Sequence, residues 1–326
     1  MTTSTSIDHE LAAIRTSAAI FPLTTRAFLR ITGADATRWL NGMVTNNIAA
    51  LAPGEGNYNF LLNAQGRIQG DCTIFRELGD PATYLLETDA SQLETIQTHL
   101  DKFIIMDDVE INPVEDHLSL LLVGNQALYF LSAIDLISED LDPTKLAKIT
   151  WHDRPLVLTR IHSPLVPMYE IWSDPGSLAA VTDALLVSDI HTISESALEK
   201  LRILTAIPKF GLDITEKILP QETAQTHALH FSKGCYLGQE IVERIHSRGQ
   251  VHRIFTQFTL TGDLPTLPAP LESNGKPAGE LTSAALIDGT LYALGYARRE
   301  LLETNQPLTY PGGTATPSRF TLEAKS

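Results

Sequence analysis

Cysteine is scarce. Only Cys72 and Cys235 occur in 326 residues, at unrelated positions. Two such cysteines do not make a disulfide framework, although a single bridge stays open, and no Cys-x-x-Cys pair is present. A reducing cytoplasm is the simplest setting. Long apolar runs are missing too: none approaches the roughly 18 residues of a membrane helix. Basic residues are outnumbered, 24 against 39 acidic ones, for a net charge of -15. That balance argues against general phosphate-backbone binding, which needs clustered Lys and Arg, so no direct nucleic-acid partner and no membrane partner is expected. Internal repeats and low-complexity tracts are also lacking. Residues 1–6 lack the charged start and apolar stretch of a signal peptide, and residues 1–19 read as a flexible tail.

What is present is a 43% hydrophobic chain, long enough for a large core and roughly two domains. Residues 27–31 read as a strand, broken by Gly33, with Asp35 as N-cap of a helix through Trp39, Leu40 and Met43. Residues 58–62 and 68–75 read as strands of a hairpin around Asn63-Ala64-Gln65-Gly66. A strand over 83–87 follows. Ser91-x-x-Glu94 matches a capping box opening a helix through Leu93, Ile96 and Leu100. Strands are expected at 109–114, 118–123, 156–161 and 169–172, and helices from 127 to 137, 178 to 186 and 195 to 204. Strands and helices interleave without a regular βαβ period, which favours an α+β layout. Past Val251 the helical period stops and prolines multiply. A small all-β domain, barrel or sandwich, is expected over 251–326, after a larger region of two interleaved subdomains over 20–250.

One stretch carries chemistry: Lys233-Gly234-Cys235-Tyr236-Leu237-Gly238-Gln239-Glu240. Leu237, Ile241 and Ile245 form one apolar stripe, and Glu240 and Arg244 an i, i+4 pair, so a helix starts near Gly238. Cys235 then lies just before a helix N-terminus and two residues from Lys233, and both features favour thiolate. Gly234 and Gly238 allow a sharp turn or a close approach to a ligand. The competing reading makes Cys235 a small buried filler. Cys72, in an alternating strand with no basic neighbour on its face, reads as structural. Residues 233–253 hold Lys233, Arg244, Arg248 and Arg253 against Glu240 and Glu243, a net of +2. That island suits either an anionic small molecule or a solvated helix face. His227, His230, His246 and His252 crowd the region, but their spacing fits surface histidines better than a metal site. One thiolate cannot hold an iron–sulfur cluster alone, so no stable metal is expected on this chain by itself.

The motif resembles the signature of the YgfZ family and its mitochondrial iron–sulfur assembly relatives. Leu201-Arg202-Ile203-Leu204, Ile207-Pro208, Leu219-Pro220-Gln221-Glu222 and Arg248-Gly249 are similar around it. So are Leu40-Asn41-Gly42-Met43-Val44-Thr45-Asn46-Asn47, Gln65-Gly66-Arg67 with Asp71, and Ala293-Leu294-Gly295-Tyr296-Ala297-Arg298-Arg299. The resemblance covers the chain from about residue 20. It implies an α+β aminomethyltransferase-like folate-binding fold with a C-terminal β-barrel. It further implies a folate-binding accessory protein for assembly or repair of iron–sulfur proteins, including radical enzymes that modify tRNA. Partners would be a folate-like small molecule, tetrahydrofolate or a derivative, and iron–sulfur proteins or their assembly factors.

By motif position, Cys235 and Lys233 are the residues expected to act. Asp71, Arg67, Tyr58, Gly234, Tyr236, Gly238, Gln239, Glu240 and Arg244 are expected around the ligand. Asp71 falls where aminomethyltransferases carry a pocket carboxylate, which would accept hydrogen bonds from pterin N–H groups; otherwise it is a turn or strand-edge residue. Two departures stand out. Aminomethyltransferases carry a glutamate where this chain has Leu204. Their Gly-Tyr-Thr-Gly-Glu stretch is replaced by Ser163-Pro164-Leu165-Val166-Pro167-Met168-Tyr169-Glu170. Conventional enzyme activity is therefore not expected. The alternatives are a tetrahydrofolate-dependent one-carbon transferase and a non-catalytic scaffold.

Overall fold

The computed structural model describes residues 2–318 apart from positions 80, 116, 250 and 305. The chain forms two compact units. The first takes Met1–Leu62, Gln69–Glu195 and His230–Leu237; the second takes Asn63–Ile68, Ser196–Leu229 and Gly238–Ser326. Residues 196–229 and 238–250 thus cluster with the C-terminal strands rather than with the rest of 20–250.

The first unit runs α1 (Thr2–Thr16), β1 (Ala19–Leu23), β2 (Arg26–Thr32), α2 (Ala36–Met43), β3 (Gly56–Leu62), β4 (Ile68–Arg76), β5 (Tyr84–Asp89) and α3 (Leu93–Asp101). It continues with β6 (Glu110–Pro113), β7 (Leu118–Val123), α4 (Ala127–Ala133), β8 (Leu146–Trp151), β9 (Arg154–Ile161), β10 (Met168–Ser173), α5 (Pro175–Val187) and β11 (His191–Thr192). Two sheets result, in the orders β11-β1-β7-β10-β9-β8 and β3-β4-β5-β2-β6.

The five-stranded sheet shows why its residues divide as they do. Side chains alternate across a strand, and β4 buries Cys72 and Ile74 on one face. That face packs under Trp39, Leu40 and Met43 of α2 and Ile96 and Leu100 of α3. Cys72 sits there, 2% exposed, with burial pushing its thiol well above the usual range. The opposite face of the sheet carries Phe28, Phe75 and Leu85, which meet Trp172 of β10. The Trp172 ring stands edge-on to Phe28 at 5.0 Å and to Phe75 at 5.2 Å between centroids, a favoured aromatic geometry. The six-stranded sheet buries Leu120, Leu122, Leu158, Tyr169 and Ile171 against α4 and α5. Asp174 caps α5, accepting from the N–H groups of Gly176 and Ser177 at 2.9 and 3.0 Å.

Three expectations are corrected. The start is not a tail: residues 2–16 are helical, Leu11 and Ile14 are buried, and Glu10 accepts from the Ser194 N–H and hydroxyl, each at 2.7 Å. Asp35 does not cap α2 with its side chain; it accepts from the Asp108 N–H at 3.0 Å. Before α3, Asp89 rather than Ser91 does the capping, accepting from the Ser91 N–H.

The second unit runs α6 (Glu195–Thr205), α7 (Gln239–Arg248), β12 (Arg253–Gly262), β13 (Ala269–Ser273), β14 (Lys276–Ile287), β15 (Thr290–Arg298), α8 (Arg299–Thr304), β16 (Leu308–Tyr310) and β17 (Gly313–Ser318). Its strands close a barrel in the order β12-β15-β14-β13-β16-β17, around Phe258, Leu271, Leu281 and Leu308. Buried Asp213 joins α6 to β14. It accepts from Arg202 at 2.5 Å, from the Lys209 N–H at 3.0 Å and from the hydroxyls of Thr282 and Ser283 at 2.5 and 2.7 Å. No helix among the described residues is long and apolar enough to cross a membrane.

Candidate functional site

Strand register builds the polar half of the face that Phe28 and Phe75 begin. Thr73 pairs with Glu87, and Arg26 with Asp89, so Asp71, Thr73, Glu87, Asp89 and Arg26 share that face. Asp71 is held from several sides. The Tyr58 hydroxyl donates to its Oδ2 at 2.5 Å and Gln92 Nε2 to its Oδ1 at 2.8 Å. Its own N–H donates to Gln92 Oε1 at 3.0 Å, and Thr88 donates to its carbonyl at 2.9 Å. Burial pushes the Asp71 carboxyl above its ordinary value, while the Tyr58 and Gln92 hydrogen bonds and the Arg26 charge pull it back.

Beside it, Arg26 bridges two carboxylates from different sheets. Its Nε lies 2.8 Å from Glu87 and its Nη2 2.6 Å from Glu170. Glu170 also accepts from Ser119 at 3.0 Å and from the Trp172 indole N–H at 2.9 Å. Glu87 is pushed up to about 7, chiefly by burial, with Arg26 opposing and Glu170 adding to the rise.

The segment carrying the cysteine lies in the same unit, against the turn after α2. The His230 N–H donates to the Thr45 carbonyl at 3.2 Å and the Leu237 N–H to the Gly42 carbonyl at 3.0 Å. Lys233 turns inward, 8% exposed, and its ammonium donates to the carbonyls of Val44 at 2.6 Å and Asn46 at 2.5 Å. The same ammonium stands 4.9 Å from the centre of the buried Tyr236 ring. Burial lowers the lysine to about 7, and the two carbonyls act the other way by favouring the charged form. The lysine was expected to present its charge to the thiol; the structure directs its N–H groups to these carbonyls. Cys235 is exposed, which removes its reading as a buried filler. Gly234 is surrounded by open space, so no close approach demands glycine there.

The other expected residues belong to the second unit. Gly238 adopts φ +81°, the left-handed conformation that glycine tolerates, at the entry to α7. The helix buries Val242 completely, with Ile241 and Ile245 half-buried beside it, so the stripe is centred one residue later than the spacing predicts. Gln239 is half-buried, Glu240 and Arg244 are exposed, and the described ion pairs do not include Glu240 with Arg244. Arg67 is tied to the Lys217 carbonyl. The positive island is not a free cluster: Arg253 is engaged by Glu222 at 2.9 Å and Glu280 at 3.3 Å. Leu204 is buried, in keeping with its apolar character. The described residues contain no group of His, Cys, Asp and Glu arranged to hold a metal.

Sequence reasoning missed Arg26, Glu87, Glu170 and Gln92. A signal existed for Glu170, a lone acid between the core residues Tyr169 and Ile171. Gln92 offered none, since a glutamine ahead of a helix ordinarily faces water.

A family model described as the GCVT N-terminal domain matches residues 1–233. An aminomethyltransferase of Exiguobacterium sibiricum is 23% identical over 86% of this chain and 78% of its own length. A mitochondrial iron-sulfur cluster assembly factor IBA57 homolog of Neurospora crassa is 29% identical over 77% of this chain and 56% of its own length. In fold, the chain is similar to the glycine cleavage system aminomethyltransferase T of Bartonella henselae, with a TM-score of 0.85, 20% identity and coverage of 96% of this chain and 88% of that one.

Proposed function

Because the chain belongs to the GCVT N-terminal domain family, we propose that it is a folate-binding accessory protein of the YgfZ type, which supports iron–sulfur cluster assembly or repair through the thiol of Cys235. The observation that carries this reading is an exposed thiol on a segment fastened at both ends, in the same unit as the Asp71 carboxylate held by Tyr58 and Gln92. Similarity to the IBA57 homolog supports the iron–sulfur side of the reading. Cytoplasmic iron–sulfur proteins, including radical enzymes that modify tRNA, are the proposed clients.

The residues present fit a folate. Asp71 accepts one hydrogen bond on each oxygen. A carboxylate offers about four acceptor positions, so capacity remains for the adjacent N–H donors of a pterin. Tyr58 and Gln92 keep the carboxylate from rotating, and Arg26 favours its charged form. When bound, tetrahydrofolate supplies a reduced pterin able to carry a one-carbon unit. The thiol of Cys235 stays open to a partner, and a cluster in transit would draw its remaining ligands from other molecules.

The test has two arms. A strain carrying only Cys235→Ala is expected to lose activity of its iron–sulfur enzymes under oxidative stress, with protein level unchanged; wild-type activities would end the thiol reading. Purified Asp71→Asn is expected to bind tetrahydrofolate at least tenfold more weakly, and unaltered affinity would remove Asp71 from the ligand site.

A second reading, a folate-dependent one-carbon transferase, is favoured by the similarity to aminomethyltransferases and by the raised carboxyl of Asp71. Against it stands a departure in sequence: Leu204 occupies the position where aminomethyltransferases carry a glutamate. Turnover of an aminomethyl donor with tetrahydrofolate would establish it.

A further inference from the structure

The two halves of the proposed site are joined by a line of hydrogen bonds. Lys233 donates to the Asn46 carbonyl at 2.5 Å, Asn46 Nδ2 donates to the Tyr58 carbonyl at 3.1 Å, and the Tyr58 hydroxyl donates to Asp71 at 2.5 Å. The Asn46 N–H is fixed as well, on Asn59 Oδ1 at 3.0 Å. Along the cysteine segment, Lys233 lies between the backbone tethers at His230 and Leu237, and Cys235 lies between Lys233 and Leu237.

A buried ammonium between two carbonyls is an exacting arrangement. Removing it leaves the Val44 and Asn46 carbonyls without that donor, and a lost charge-assisted hydrogen bond is costly where water is excluded. The groups facing the ammonium are these carbonyls and the Tyr236 ring, and no ion pair with a carboxylate is made by Lys233 among the described residues. Its N–H groups therefore serve geometry: they fasten a loop to a turn.

We propose that Lys233 is a positioning residue that fastens the Cys235 loop to the turn after α2, which Asn46 ties to Tyr58 of β3, so that a ligand drawing on Asp71 steadies the presentation of the thiol. The coupling rests on the folate reading above; the fastening does not. Tyr58 is the element both sides share. Its hydroxyl meets the carboxylate a ligand would use, and its carbonyl holds the residue that accepts from Lys233.

Amide hydrogen exchange of the full-length chain tests both parts, because the Leu237 N–H bonded to Gly42 reports opening of the loop. In Lys233→Met, exchange at Leu237 is expected to quicken at least tenfold while amides of the barrel strands keep their protection. Lys233→Arg, which still donates twice, is expected to return it to within threefold of wild type. Unchanged exchange in Lys233→Met, or failure of arginine to rescue, overturns the fastening. If Lys233→Met does not fold, Lys233→Gln takes its place in the ligand-free comparison: its shorter, uncharged side chain is expected to quicken Leu237 exchange at least threefold, and exchange equal to wild type overturns the fastening. Adding tetrahydrofolate to wild type is expected to slow Leu237 exchange at least threefold, and Tyr58→Phe is expected to abolish that response. Binding followed by pterin fluorescence, with no effect at Leu237, overturns the coupling. No binding at all refutes the folate reading, and the coupling with it, and leaves the fastening to the ligand-free comparison.

Discussion

Replacing Lys233 with methionine isolates the energetics of a buried ammonium. The side chain is 8% exposed, and burial lowers it from 10.5 to about 7. Each tenfold change in proton affinity is worth about 1.4 kcal/mol, so the full displacement amounts to about 5 kcal/mol. Above pH 7 the folded lysine is neutral, whereas the unfolded chain holds its proton until about pH 10.4. Unfolding therefore takes up a proton in that window, and stability rises with pH there. The methionine variant has no such group. The difference in unfolding free energy, wild type minus Lys233→Met, should be flat below pH 7 and then grow in favour of wild type by about 1.4 kcal/mol per pH unit. Between pH 7 and pH 9 this comes to about 2 to 3 kcal/mol. Urea unfolding at pH 6, 7, 8 and 9 measures it, and other titrating groups cancel in the difference. A flat difference to pH 9 would refute the reasoning: the Val44 and Asn46 carbonyls would then be holding the proton as firmly as water does.

Three further outcomes follow from the same geometry. Arg26→Met strands Glu87 and Glu170 without their shared cation, and breaking such a buried pair costs about 3–5 kcal/mol; the loss in urea should be smaller at pH 6 than at pH 8, because Glu87, raised to about 7, accepts a proton at the lower pH. Gly66→Ala forces φ +70° on an alanine and brings its Cβ to 2.9 Å from the Ile241 Cβ, so thermal unfolding should report a loss of about 1–2 kcal/mol. Cys235→Ser, at an exposed position, should leave stability within about 0.5 kcal/mol, which separates loss of function at the thiol from loss of fold.

Legibility followed the range of the interactions. The β4 hairpin was readable because a period of two is local: Cys72 and Ile74 fall on the helix-covered face and Asp71 on the other. The C-terminal barrel was readable because the helical period stops there. The helix over 2–16 was not, since its threonines and serines resemble a solvated tail and only tertiary contact buries Leu11 and Ile14. Lys233 is the sharpest case. A lysine between serine and glycine reads as a solvated loop cation, and its true surroundings are carbonyls at Val44 and Asn46, nearly two hundred residues earlier. The Arg26, Glu87 and Glu170 cluster is similar, with one member on each of three strands in two sheets.

These failures have a common physical origin. A charge is kept from water only where partners from distant segments converge on it, so a buried charge is the least local feature a chain can have. Such convergence occurs here on both sides of Tyr58, at the carboxylates around Arg26 and at the ammonium of Lys233. The hydrogen bonds that make these charges tolerable also restrict their movement. A carboxylate and a thiol-bearing loop are thereby held by hydrogen bonds in one unit, and on the loop's side the donors come from a Lys233 turned inward to the Val44 and Asn46 carbonyls rather than facing solvent beside Cys235.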